Sequence, residues 1–130
     1  MRSSFVGLCA ALAAVAVAAC SSDASTGGCS LEALRPAIIV EVVAASGPAL
    51  TGTTTGAVHD GDYVDSLRPI PGSIGSIQSL GAAFNRPGTY NVTVVHAGYD
   101  TWEKDGVMVA ATSCGIAQPV NLVAQLQPAP

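Results

Sequence analysis

The sequence predicts an all-β fold, a Greek-key β-sandwich of about seven strands. Three observations carry that expectation. Between Tyr90 and His96, Tyr90, Val92, Val94 and His96 alternate with Asn91, Thr93 and Val95, the two-residue period of a pleated strand. Short runs rich in Val, Ile and Thr recur along the chain, separated by Gly, Pro, Asn and Asp. Helical periodicity is almost absent after Cys29, and no internal repeat is present.

Taken in order, the first strand is Ala37 to Ala45, "AIIVEVVAA", too short and too β-branched for a helix. Glu41 is its only charge, so it reads as a strand largely buried on both faces. "SGPALTGTTTG" then reads as a loop. A hairpin follows: Ala57-Val58-His59 leads into the turn dipeptide Asp60-Gly61, and Asp62-Tyr63-Val64 leads out. Arg68 to Ser79 reads as a Pro/Gly/Ser loop, and Leu80 to Phe84 as a short strand. Asn85-Arg86-Pro87-Gly88 should turn the chain into the alternating strand described above. Gly98-Tyr99 turns it again. Beyond lie a polar strand start, a kink at Lys104-Asp105-Gly106, a strand from Val107 to Ala111, and a last strand containing Val120, Leu122, Val123 and Leu126.

Ahead of this body stands a different kind of sequence. Arg2 precedes an uncharged Ala/Val/Leu run, Phe5 to Ala19, the layout of a secretory signal. The run falls short of the roughly 20 residues that span a bilayer. Val17-Ala18-Ala19-Cys20 resembles the lipobox of bacterial lipoproteins, an aliphatic residue and two small ones before a Cys. The resemblance implies cleavage after Ala19 and acylation of Cys20, palmitate included, as the first mature residue. Ser21 to Gly28 would then be a solvated tether, giving the organisation 1–19 signal, 20–28 lipidated Cys and tether, 29–130 β-sandwich. The sorting rule of that family places Asp directly after the lipidated Cys for inner-membrane retention. Ser21 stands there, so the expected address is the cell envelope at the outer membrane. An ordinary secretory signal, with Cys20 a plain thiol, is the competing reading.

Charge and cysteines narrow the field further. The 130-residue chain has 5 basic and 9 acidic side chains, and loss of Arg2 with the signal leaves 4 against 9. Scattered cations in that number give no footprint for nucleic acid. Cys9 would leave with the signal and Cys20 would carry lipid, so Cys29 and Cys114 remain for a disulfide in an oxidising compartment. In the chain-entropy picture a loop of that length stabilises by roughly 4–5 kcal/mol. No C-x-x-C and no nearby His favours a metal or a reactive thiol at either position.

Arg86 to Val109, "RPGTYNVTVVHAGYDTWEKDGVMV", resembles the Gly-x-Tyr-x-Val-x-Val…Gly-Tyr pattern of carboxypeptidase regulatory-like domains, which have a transthyretin-like (prealbumin-like) fold. The opening "VAASGPAL" keeps that family's Gly47, Pro48 and Leu50 and lacks its usual Asp and Thr. The resemblance implies an accessory, stabilising or binding module. The enzyme branch of the same fold, the hydroxyisourate hydrolases, ends in Tyr-Arg-Gly-Ser, whereas this chain ends "LVAQLQPAP".

The remaining constellations are weak. Asp60, Asp62 and Asp65 lack the further oxygen ligands and closing Glu of a calcium loop, so they read as a solvated turn, with a weak cation site as the alternative. His59 and His96 could share a zinc ion only if strand pairing joined them. No G-x-S-x-G elbow is present, and "GSIGSIQS" lacks the Lys of a phosphate cradle. Trp102 beside Tyr99 could form an aromatic platform for a glycan or peptide, or could simply pack against the sheet. No cofactor and no metal is expected. The expected role is non-enzymatic: an envelope module, structural or protein-binding, held to the membrane by its lipid. A carbohydrate- or peptide-binding domain using the Trp102 region and the Arg68–Ser79 loop is the alternative, and a hydrolase resting on the histidines a remote one.

Overall fold

The structure, a computed structural model, describes residues 34–46, 50, 52–71 and 78–130. The signal, Cys20, the tether and Cys29 lie outside the described residues. Among the described residues the chain is all-β, and two four-stranded sheets face each other as a β-sandwich around one apolar core. The strands are β1 Ile38–Ala44, β2 Thr54–Asp60, β3 Tyr63–Ser66, β4 Arg68–Pro69, β5 Gln78–Ala82, β6 Gly88–His96, β7 Trp102–Val109, β8 Ala111–Thr112, β9 Gly115–Ile116 and β10 Val120–Leu126. One sheet has the order β10-β1-β5-β4, the other β3-β2-β6-β7, and β8 with β9 forms a small ribbon. β1 pairs with β10 in parallel and with β5 antiparallel.

The alternation in β6 does what its sequence demands. Tyr90, Val92, Val94 and His96 are buried, while Thr89, Asn91 and Val95 are exposed. They meet Ile38, Val40 and Val42 of β1, Leu80 and Ala82 of β5, Val58 of β2, Val107 and Val109 of β7, and Ala124 and Leu126 of β10. β1 is central but not buried on both faces as expected: Ile39 and Val43 are half-buried and Glu41 is exposed. The reason is that the second face of this sheet has no layer packed over it among the described residues.

Tyr90 is the largest fully buried side chain among those described. Its hydroxyl donates to the backbone carbonyl of Arg86, four residues upstream, at 2.7 Å. That contact has the form of a tyrosine corner, which fixes the entry of a strand into a sandwich. It also keeps the phenol oxygen from being an unpaired polar atom in the core.

Several expectations shift by a residue or two. Asp60 pairs with Tyr63, so the hairpin loop is Gly61-Asp62 rather than Asp60-Gly61. Gly61 takes φ +57° while Asp62 is not among the positive-φ residues, the pattern of a type II′ turn with Gly first. The turn before β6 closes earlier than expected, through Arg86 N–H to Ala83 O at 3.1 Å, with Asn85 at φ 52° in its third position. The kink near Gly106 is a β-bulge inside one continuous strand. Tyr90 pairs with Val107 and Val92 with Lys104, so β7 carries an extra residue opposite Asn91. Gly106 absorbs it at φ +67°, and its N–H donates to Asn91 Oδ1 at 3.2 Å.

Two expected loops contain strand. Thr54-Thr55-Gly56 opens β2, and the ends of the Arg68–Ser79 segment are β4 and the start of β5. The strand expected from Val107 to Ala111 divides, at Ala110, between β7 and the β8–β9 ribbon.

Candidate functional site

The polar chemistry of the described body is concentrated at one corner, where β2, β3 and the turn before β6 converge. Strand pairing brings Asp60, at the end of β2, beside Arg86. The Arg86 Nη1 donates to Asp60 Oδ2 at 2.8 Å and to Tyr90 Oη at 3.0 Å. The same guanidinium lies over the Tyr63 ring, 3.8 Å from its centroid, and Tyr63 stands edge-on to Tyr90 at 6.3 Å. The hydrogen bond to Asp60, then the one to Tyr90, raises the Arg86 pKa. Desolvation, then the nearby Asp65 carboxylate, raises that of Tyr63. Both groups are therefore held in the forms they have at neutral pH: a cation on Arg86 and an undissociated phenol on Tyr63.

A second cluster stands next to the first. Asp65 Oδ1 accepts from Arg68 Nη2 at 2.7 Å, and its Oδ2 accepts from the backbone N–H of Ala83 at 2.9 Å. Ala83 is fully buried at φ 55°, a left-handed conformation that costs a non-glycine residue energy. The Asp65 carboxylate holds it there. Arg68 in turn lies 5.2 Å over the Phe84 ring. Between the clusters runs an open groove of about 500 Å³, lined by Leu34, Tyr63, Val64, Asp65, Arg68 and Phe84.

The carboxylates that the sequence groups as an acidic turn are thus divided between separate tasks: Asp60 binds Arg86, Asp65 binds Arg68 and Ala83, and Asp62 sits exposed in the hairpin loop. No group of three metal-ligating side chains occurs among the described residues. We expect Asp65→Ala to destabilise the domain by about 1–3 kcal/mol, since it strips the partner from a buried N–H and from Arg68. Urea denaturation read by far-UV circular dichroism measures this. The Asp62→Ala change, at an exposed loop position, should stay within about 0.5 kcal/mol of the parent.

The histidines do not meet. His59 pairs with Asn91 and His96 with Thr54, which sets them about 17 Å apart along the ladder at the usual rise per residue. They also differ in exposure: His59 is exposed, whereas His96 is buried with its Nδ1 2.9 Å from Thr54 Oγ1. The shared zinc site considered from sequence is therefore not assembled.

Tyr99 and Trp102 are both half-buried and pack against the core. Tyr99 meets His96 edge-on at 5.4 Å, and Trp102 pairs with Val94 across β6 and β7. Neither lines the groove. Cys114 lies in the turn between β8 and β9, where its N–H donates to Thr112 Oγ1 at 3.2 Å.

Sequence reading alone missed the roles of Arg86 and Arg68. The available signal was the spacing Arg86-Pro87-Gly88-Thr89-Tyr90, an arginine four residues before a strand-leading tyrosine. No protein-family model, no curated protein and no solved structure matches this chain.

Proposed function

We propose that this chain is a lipid-anchored module of the bacterial cell envelope, at the outer membrane, with a structural or protein-binding accessory role and no enzymatic activity of its own. The observation that carries the reading is the abrupt change at Cys20. An apolar run ends in Val17-Ala18-Ala19, and a Ser/Thr/Gly stretch begins directly after the cysteine. A single acyl chain holds a protein only marginally at a bilayer, whereas two or more hold it stably, at about 0.8 kcal/mol per buried methylene. Acylated Cys20 would supply such an anchor, and the stretch to Gly28 would hold the β-sandwich away from the surface.

The character of the body supports an accessory role. Its arginine–carboxylate pairs tie β2, β3 and the Ala83–Arg86 turn together, which is structural work. A Greek-key, transthyretin-like arrangement of the carboxypeptidase regulatory-like kind is part of this reading. Its support is the Tyr90-led strand with alternating Val92 and Val94 and the strand that follows the Gly98-Tyr99 corner.

A Cys29–Cys114 disulfide completes it. In the structure Cys114 is not a free thiol, which supports the pairing. The bond would clamp the start of the domain to its last third. Exported protein, denatured without reductant, should then show no free sulfhydryl by thiol titration.

Fractionation tests the anchor. The wild-type chain should sediment with membranes and partition into detergent, and Cys20→Ser should leave an unprocessed precursor or a released protein. Unchanged processing and membrane partition in Cys20→Ser would reject the lipid anchor.

A further inference from the structure

Among the described residues four strands end the two sheets, and they differ in how they are protected against pairing with another chain. β4 is two residues long and contains Pro69. β3 is four residues long and carries Asp65, whose carboxylate pairs with Arg68 of β4. β7 carries Glu103, Lys104 and Asp105 and is bent by the bulge at Gly106. Charges, brevity, proline and bulges are the usual means by which sheet edges avoid intermolecular pairing. β10, Val-Asn-Leu-Val-Ala-Gln-Leu, has none of them: it is seven residues long, uncharged, without Pro or Gly, and in unbroken register with β1.

The hydrogen bonding of β10 shows which groups stay open. The Val120 N–H donates to Ala37 O at 2.8 Å, and the Leu126 carbonyl accepts from Ala45 N–H at 2.9 Å. In a parallel ladder the residues that bond to the partner strand alternate. Val120, Leu122, Ala124 and Leu126 therefore face β1 with their backbone groups, while Asn121, Val123 and Gln125 direct theirs outward. Among the described residues no backbone bond reaches those outward groups. Past Leu126 the chain turns to the other sheet, where the Gln127 carbonyl accepts from Asp100 N–H, so the open stretch ends at Gln125.

We infer that this edge pairs with the same edge of a second copy of the chain, antiparallel and centred on Val123. The pattern of the outward residues selects a second copy as the occupant. Antiparallel pairing about a twofold axis at Val123 sets Val123 against itself and Asn121 against Gln125 of the other copy. The exposed side chains would then match apolar with apolar and amide with amide, without any like charge in opposition. Val123, a β-branched residue at the centre of this edge, is 52% exposed. The two sheets that contain β10 would become one continuous sheet across the pair.

The full chain in non-ionic detergent, and the released Cys20→Ser form, should each show a concentration-dependent monomer–dimer equilibrium by sedimentation velocity. Use of both forms separates this inference from the lipid anchor. Val123→Lys puts two ammonium groups in opposition and should raise the dimer Kd at least tenfold. Met108→Lys, a charge added at a still more exposed site on β7, should leave it unchanged. A monomer at all concentrations, or equal association by Val123→Lys, overturns the proposal. Cross-linking gives an independent reading. With a short bis-maleimide, Val123→Cys should link to itself, whereas Asn121→Cys and Gln125→Cys should link only when mixed. Self-linking at position 121 as strong as at 123 would reject the register.

Discussion

Tyr90→Ala should lower the stability of the β-sandwich by about 3–5 kcal/mol, the range for removing a buried aromatic. Domains of this size have only about 5–15 kcal/mol in total. The melting temperature should therefore fall by more than about 12 °C, and the variant should be prone to proteolysis. The size of the effect has two sources. The ring is fully buried between the sheets, and its hydroxyl ties the strand entry to the Arg86 carbonyl. Tyr90→Phe separates them: it keeps the ring, frees the carbonyl and takes one acceptor from the Arg86 guanidinium, for a cost of about 1–3 kcal/mol. Calorimetry of both variants measures the two contributions. Equal melting temperatures for wild type and Tyr90→Phe would show that the corner hydrogen bond adds nothing.

Gly56→Ala should cost a comparable amount for a different reason. Gly56 sits inside β2 opposite Val94. A Cβ there would collide with the Thr93 carbonyl oxygen, approach Leu67 Cδ1 to 2.6 Å and Val94 Cα to 3.3 Å. Leu67 could rotate away, but the backbone atoms of β6 could move only by opening the ladder. Overpacking of this kind costs about 1–3 kcal/mol and more when backbone must shift. Gly56→Val should exceed Gly56→Ala and leave little folded protein. Equilibrium unfolding in urea distinguishes these outcomes, and a Gly56→Ala variant as stable as the parent would mean that β2 and β6 are spaced more widely than described.

How much of this was legible in the sequence depended on the range of the interactions. β1, the β2–β3 hairpin, β6 and β10 were readable because their signals are local: β-branched density, a turn glycine and alternation. Gly56 reads as loop from the sequence because a glycine among threonines looks like a linker. Only the close approach of Thr93 and Leu67 explains it as a strand residue. β9 left no trace, and of β8 only Ala111 falls within an expected strand, since two-residue strands have no period to detect. The bulge at Gly106 was visible as an interruption, yet only the register with β6 shows that β7 runs through it.

The candidate site was less legible than the fold. Asp60 and Arg86 are 26 residues apart, and nothing near either one names its partner. Their meeting follows from the pairing of β2 with β6, a non-local choice. The same pairing separates His59 from His96, and local pattern could not decide that either. Alternation did forecast that His96 shares the inward face of Tyr90, Val92 and Val94, and it is buried there.

We propose above all that Cys20 becomes the acylated first residue of an anchored protein. Intact-mass spectrometry of the chain, exported by its native host and extracted in detergent, tests it most directly. The expected result is a polypeptide beginning at Cys20 with the added mass of a diacylglyceryl group, with or without a further amide-linked acyl chain. A mature protein that begins at any other residue, or at Cys20 with an unmodified thiol, would contradict it.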